Sequence, residues 1–181
     1  MKVTIGIILL IPILIWGTLR TINSITYGID CGGHIKRAAD ANTVEMAKKE
    51  LRTVLDYLEQ REMTKGYTST LYQTPDEDVA FWYTNLSQSY KELEQVNEKT
   101  TALEKSNLLI KLRETLLDQG ENGINITQPS GISIFPKNGG YAIFGWIGAV
   151  LACLGCGLII WKLREYLRAT STERTGAKLR H

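Results

Sequence analysis

The residues of this chain that have chemistry to offer are few. Cys31-Gly32-Gly33-His34 brings a thiol and an imidazole within three positions. One thiol and one imidazole are too few to hold a metal. They lack a visible acid or base partner to make a nucleophile. A lone cysteine in an oxidising compartment can join two copies, so Cys31 is a candidate for an intermolecular disulfide. The plainer reading is a small, partly buried thiol near a membrane. Cys153-x-x-Cys156 has redox spacing but lies in an apolar run. A thiolate there is too costly to act as a nucleophile, and the pair reads as small packing residues.

Aromatic residues gather in one stretch: Tyr67, Tyr72, Phe81, Trp82 and Tyr83, beside Asp76, Glu77 and Asp78. An aromatic and acidic tip is what a partner surface looks like. Tyr67, Tyr72 and Tyr83 are its candidate contact residues, with Tyr83 the one expected to be most exposed. The alternative is that the rings close a small core while the acids complement a helix N-terminus. No Gly-rich phosphate loop follows a strand, and the chain offers only His34 and His181 as imidazoles. The expectation is a protein that is not an enzyme, with no cofactor and no small-molecule substrate identified.

These residues are positioned by a strongly segregated chain of 181 residues. Residues 3–19 and 139–161 carry no charge. The second run is long enough to span a bilayer, and the first is at the short end of the range. Between them, residues 21–140 hold 13 Lys/Arg against 17 Asp/Glu, a net −4, whereas residues 162–181 hold 6 against 2, a net +4. Basic residues just past a span mark the cytoplasmic side. The first run lacks a small-x-small cleavage site and reads as an uncleaved signal anchor. Both termini are thus expected in the cytoplasm, with residues 21–138 outside it, in the plasma (inner) membrane of a prokaryote. The basic tail suits anionic headgroups. It interleaves no aromatic residue beyond Tyr166, which argues against nucleic acid.

Between the spans the apolar residues recur at helical spacing. One seam runs Val44, Ala47, Leu51, Val54 and Leu58 on a helix over about 34–63, with Asn42 and Glu45 as a capping box. A second runs Val79, Trp82, Leu86, Leu93, Val96, Leu103 and Ile110 without a slip of register over 75–118. Thr74, Pro75 and Glu77 mark its start. If unbroken it would be roughly 65 Å long. Ser89, Thr100, Asn107 and Glu114 interrupt this seam, and a buried Asn there can fix register. Two seamed helices with a short connection at 64–74 predict an antiparallel hairpin. Its longer arm leaves an apolar end near Leu108, Leu109, Ile110, Leu112, Leu116 and Leu117, to be covered by residues 21–33 or by another subunit.

The isoleucines of 21–33 suggest an extended segment. Ile124/Ile126 and Ile132/Ile134 suggest either a small β-hairpin or a linker over 119–138. In the second span, Gly145, Ala149, Cys153 and Gly157 form one row of small residues, and Gly148, Ala152 and Cys156 a neighbouring one. Such rows let helices approach closely in lipid.

The expected fold is an all-α membrane protein. In order it has transmembrane helix 1 (1–20), a juxtamembrane extended segment (21–33), a coiled-coil-like helical hairpin (34–118), a linker or β-hairpin (119–138), transmembrane helix 2 (139–161) and a basic tail (162–181). The first functional reading is an interaction or scaffold protein whose hairpin binds a partner or self-associates. Its partners would be the lipid bilayer and either further copies or another membrane protein. The alternative is a ligand-input subunit of a sensory complex. In outline only, the order of spans and helical ectodomain resembles the periplasmic half of bacterial chemoreceptors. No motif carries over, and the twenty residues after the second span leave no room for a signalling helix, so a separate cytoplasmic partner would be needed.

Overall fold

The computed structural model describes residues 2–120 and 123–178, with the side chains at 119, 120 and 169–178 outside the description. The Arg174, Lys178 and Arg180 side chains of the basic tail therefore lie outside the described residues. The chain is mostly helical and divides into two compact units, Met1–Thr21 with Gly140–His181, and Ile22–Gly139. Among the described residues two helices are long and apolar enough to cross a membrane.

The order of elements is α1 (Lys2–Tyr27), a π-helical turn (Gly28–Gly32), α2 (Gly33–Ala39), α3 (Val44–Gln60), α4 (Val79–Glu94), α5 (Ala102–Leu116), β1 (Leu117–Gly120), β2 (Gly123–Ile126) and α6 (Asn138–Lys178). The extended segment expected at 21–33 is therefore helical. Ile22, Ile25 and Ile29 recur at helical rather than alternating spacing, and continuation of α1 overrides their β propensity. The extra residue of the π turn is accommodated at small residues, with Gly33 N–H donating to the Gly28 carbonyl.

In the larger unit, α3 supplies the inner face. Thr43, not Asn42, caps it, accepting from Met46 N–H. Ala47, Leu51, Val54 and Leu58 are all 0% exposed. α4 lies antiparallel to α3. Tyr83 reaches Glu59, Arg52 lies over the Tyr90 ring at 5.9 Å, and Lys48 faces Glu94 at 3.8 Å, so one helix rises as the other descends. α2 packs on α3 and α5, and Arg113 of α5 pairs with Asp40 just past α2 at 2.9 Å. Of the apolar end, Leu112 and Leu116 are buried where α5 packs on α2, Leu108, Leu109 and Leu117 are partly buried, and Ile110 is exposed.

The helix over 75–118, whose continuity the spacing left open, is broken at both its start and its middle. Pro75–Glu77 form only a 3-10 turn, because Asp78 leaves helical geometry. Asp78 bridges Tyr67, and Val79 N–H donates to the Gly66 carbonyl at 2.9 Å. Gly66 has φ +104°, a left-handed value that a residue with a Cβ would hold only under strain. Asp78 then caps α4 by accepting from the Ala80 and Phe81 N–H groups. In the middle, Gln95–Thr101 separates α4 from α5. Asn97 Oδ1 accepts from Lys99 N–H, and Thr101 with Glu104 forms a capping box that restarts the helix. The Thr101 N–H and hydroxyl hold the Glu104 carboxyl below its ordinary value.

The seam therefore ends at Leu93. Val96 is only partly buried, and Leu103 and Ile110 are 70% and 54% exposed. Asn107 and Glu114 are also exposed, so Asn107 does not set a register from within the seam. Of the two strand signals over 119–138, Ile124/Ile126 lies in β2, which pairs with β1. Ile132–Ile134 is a 3-10 turn.

The smaller unit is an antiparallel pair of α1 and α6. A Cβ placed on Gly155 would lie 2.6 Å from the Gly6 carbonyl oxygen, so the two backbones touch there. Gly148 meets the backbone of Ile13, Gly145 meets the Trp16 ring, and Trp16 Nε1–H donates to the Tyr141 carbonyl at 2.7 Å.

Two stability outcomes follow. Leu51→Ala empties a fully enclosed site and is expected to cost about 2–5 kcal/mol, whereas Leu103→Ala stays within about 0.5 kcal/mol. Thermal unfolding of the full-length protein in detergent, followed by circular dichroism, distinguishes this from an intact long seam, in which both would cost. Gly155→Leu is expected to separate α1 from α6, whereas Gly157→Leu, with nothing within 4 Å of its added Cβ, leaves them paired. Disulfide trapping between cysteines introduced at Leu9 and Ala152 reads that separation.

Candidate functional site

The site-like feature of the larger unit is an open cleft of about 350 Å³ between the start of α4 and the chain around the β-hairpin. Pro75, Asp76, Asp78, Phe81, Trp82 and Asn85 form one wall, and Asp118 with residues 125–129 the other. The walls are fixed to each other by one bond, from Trp82 Nε1–H to the Thr127 carbonyl at 2.8 Å. Helical spacing puts Trp82 inward, at 6% exposed, and its neighbour Phe81 outward, at 64%. Asp78 has its carboxylate committed to the α4 N-terminus, which leaves Asp76 and Asp118 as the acids facing solvent. No Lys or Arg lines the cleft. An acid-lined cleft with an aromatic rim favours a cation, by charge and by the ring face. Among the described residues no cluster of three metal-ligating side chains occurs.

The structure divides the candidate contact residues. Tyr72 is 74% exposed and Tyr67 37%. Tyr83, expected to be the most exposed, is half-buried and donates its hydroxyl to Glu59 Oε1 at 2.8 Å, which ties it to α3. Phe81, one of the gathered aromatics, is 64% exposed, and Leu71, which the sequence reading passed over, is 82% exposed.

Cys31, the candidate for an intermolecular disulfide, is 0% exposed and belongs to the buried core with Tyr27 and Ile35. Burial pushes its thiol up to about 12, against a smaller opposing pull from its hydrogen bond with Tyr27. Burial likewise raises the Tyr27 hydroxyl, which donates to Gln128 Oε1 at 2.9 Å.

His34 has a partner that sequence proximity could not show. Its Nδ1 lies 2.6 Å from Glu50 Oε2, and Arg37 Nη2 lies 2.6 Å from Glu50 Oε1. Glu50 is buried on the inner side of α3, where an unpaired carboxylate would be costly. The available signal was its place beside Leu51, where an acid needs a donor.

Of the small-residue rows on α6, Gly145, Gly148, Ala149 and Ala152 are covered or partly covered, while Cys153, Cys156 and Gly157 are exposed. The row that meets α1 runs through Gly148 and Gly155, and its counterpart is Gly6. Gly6 and Gly155 lie outside the rows picked out in the sequence.

No family model matches this chain, and neither a curated protein nor a solved structure is significantly similar to it.

The buried thiol gives a pH outcome with a defined sign. The folded state holds the Cys31 proton above the ordinary value of 9.0, so between that value and about 12 it binds more protons than the unfolded chain. Stability from this group is complete below pH 9 and is lost as pH rises towards 12. Maleimide is expected to leave Cys31 unlabelled in the folded protein at neutral pH and to label it after denaturation. Labelling of the folded protein at neutral pH would place the thiol outside the core.

Proposed function

We propose that this chain is a two-pass membrane protein with a non-catalytic interaction role. Its larger unit stands outside the cytoplasm and binds a partner protein at the α4 cleft. The observation that carries this reading is the exposed ring of Phe81 on a cleft that Asp76 and Asp118 line without a Lys or Arg, in a chain that also exposes Leu71 and Tyr72 a few residues before α4. Exposed aromatics next to a well-formed concavity are where binding energy concentrates in interfaces. The chemistry favours a partner segment with a basic residue flanked by apolar ones. The bond from Trp82 to Thr127 holds the cleft walls together before binding, which lowers the ordering cost of association.

The membrane assignment is supported by the two apolar helices, by their close pairing through glycines and by the charge step between the acidic central region and the basic tail. The α3–α4 pair has the antiparallel geometry expected of a short hairpin, confined to 44–94. Self-association belongs to the same reading, through the exposed Cys153 and Cys156 face of α6.

A second reading, the ligand-input subunit, is favoured by one observation. The cleft volume falls in the range of small-molecule sites. A small organic cation would then be the ligand, and a separate cytoplasmic partner would carry the output.

Photocrosslinking from Tyr72 in intact membranes separates these readings. The interaction role gives a discrete protein adduct, which falls at least about fivefold with Phe81→Ala and Asp118→Asn if each loses one ordinary contact. Absence of any adduct, together with stabilisation by small amines, would transfer the case to the ligand-input reading.

A further inference from the structure

The described part of α6 carries a groove that straddles the end of its charge-free run. Gly157, Ile160, Trp161, Arg164, Glu165 and Arg168 line an open cleft of about 470 Å³ along one helix face. A side chain is missing at the top of this groove, where a Cβ on Gly157 would meet nothing within 4 Å. Below the notch Ile160 and Trp161 are 51% and 62% exposed. Below these, one turn apart, come Arg164 and Arg168. Glu165 is the one acid of the groove, and it is paired with Lys162 at 2.9 Å. Lys2 of α1 lies over the Trp161 ring at 4.6 Å and adds a third cation to this end.

The order along the face is therefore an apolar notch, an aromatic ring and a cationic pair. That is the order met along a phospholipid lying parallel to a helix, from acyl chain through glycerol to phosphate. We propose that this face binds one anionic glycerophospholipid, its chain against Gly157 and Ile160 and its phosphate between Arg164 and Arg168. The occupant follows from the charge of the groove and from the surroundings of an apolar helix, in which lipid is the abundant neighbour. Arginine's planar fork suits phosphate geometry better than a single ammonium does. Trp161 sits at the level where amphipathic rings settle between hydrocarbon and headgroups. The proposal rests on the membrane reading above. It goes beyond a general attraction of the basic tail to an anionic surface, because it names a site on α6 with an apolar end.

The test uses the full chain in phosphatidylcholine vesicles in which roughly one lipid in five is phosphatidylglycerol, enough to supply an anionic surface. Bromine is carried on the acyl chains of one lipid or the other, and quenching of Trp161 is taken as the part lost in Trp161→Phe. The site predicts stronger quenching by brominated phosphatidylglycerol than by brominated phosphatidylcholine at equal mole fraction. That preference should fall about fivefold for Arg164→Gln and again for Arg168→Gln, each arginine near the surface being worth about one such factor. Gly157→Leu, which fills the notch without changing charge, should also reduce it. Equal quenching by the two lipids overturns the site. So does a preference that both arginine substitutions leave intact, since the tail alone would then explain it. Trapping of two copies through Gly157→Cys, with Trp161 shielded from both lipids, overturns it in favour of a second copy on the same face. Release of the chain from vesicles by alkaline carbonate is the separate signature of failure of the membrane reading itself.

Discussion

The larger unit depends on one face of α3. Ala47, Leu51, Val54 and Leu58 are closed to solvent, and the other helices of the unit are placed by what they bury against them or beside them. α4 brings Val79, Trp82, Leu86 and Leu93 to this face, and α2 brings Ile35 and Ala38. Close packing makes such a face intolerant of lost volume. It also explains why Glu50 is held by both His34 and Arg37: an acid on the edge of this face needs polar partners where it is buried. The cleft inherits its rigidity from the same source. Trp82 is anchored in the core on one side and bonded to Thr127 on the other, so the acid-lined wall and the opposite loop move with α3 and α4.

The α3 face could be read directly, since its apolar spacing coincides with a single helix and nothing interrupts it. The α4 seam could be read as far as Leu93 for the same reason. Beyond that point the regular spacing through Val96, Thr100 and Leu103 was coincidental. Apolar spacing measures what a helix would bury and contains no test of whether the helix continues. The contrary signals were local: Asn97 with its turn bonds, and the Thr101 and Glu104 capping box, which needs a helix start to make sense. At Thr74 the reverse happened. A good capping box marked only one 3-10 turn, because pairing of Tyr67 with Asp78 drew the chain into an extended geometry that local propensity does not anticipate.

The partners of isolated groups were the least legible part. Nothing near Cys31 in sequence shows that the chain stays helical there and carries the thiol inward, and nothing near His34 points to a carboxylate sixteen residues on. The cleft joins residues from 75 to 129, and only its aromatic and acidic half was visible as a cluster. In the smaller unit the rows of small residues on α6 were visible, but which row meets α1 is decided by helix phase, to which a one-dimensional spacing is blind. Contact of Gly6 with Gly155 brings the backbones together and increases dispersion contact along both helices, the kind of pairing that holds in lipid where hydrophobic burial offers little.

The proposed function depends on the acidic larger unit standing outside the cytoplasm and the basic end of α6 inside it. The direct measurement is labelling by a membrane-impermeant maleimide in intact cells, with Cys31, Cys153 and Cys156 replaced by Ala and one reporter introduced at a time. Tyr72→Cys, at an exposed position of the larger unit, should label in intact cells. Arg168→Cys should label only after permeabilisation. Labelling of Arg168→Cys in intact cells with Tyr72→Cys protected would invert the orientation. Equal labelling of both without permeabilisation would contradict the two-span account.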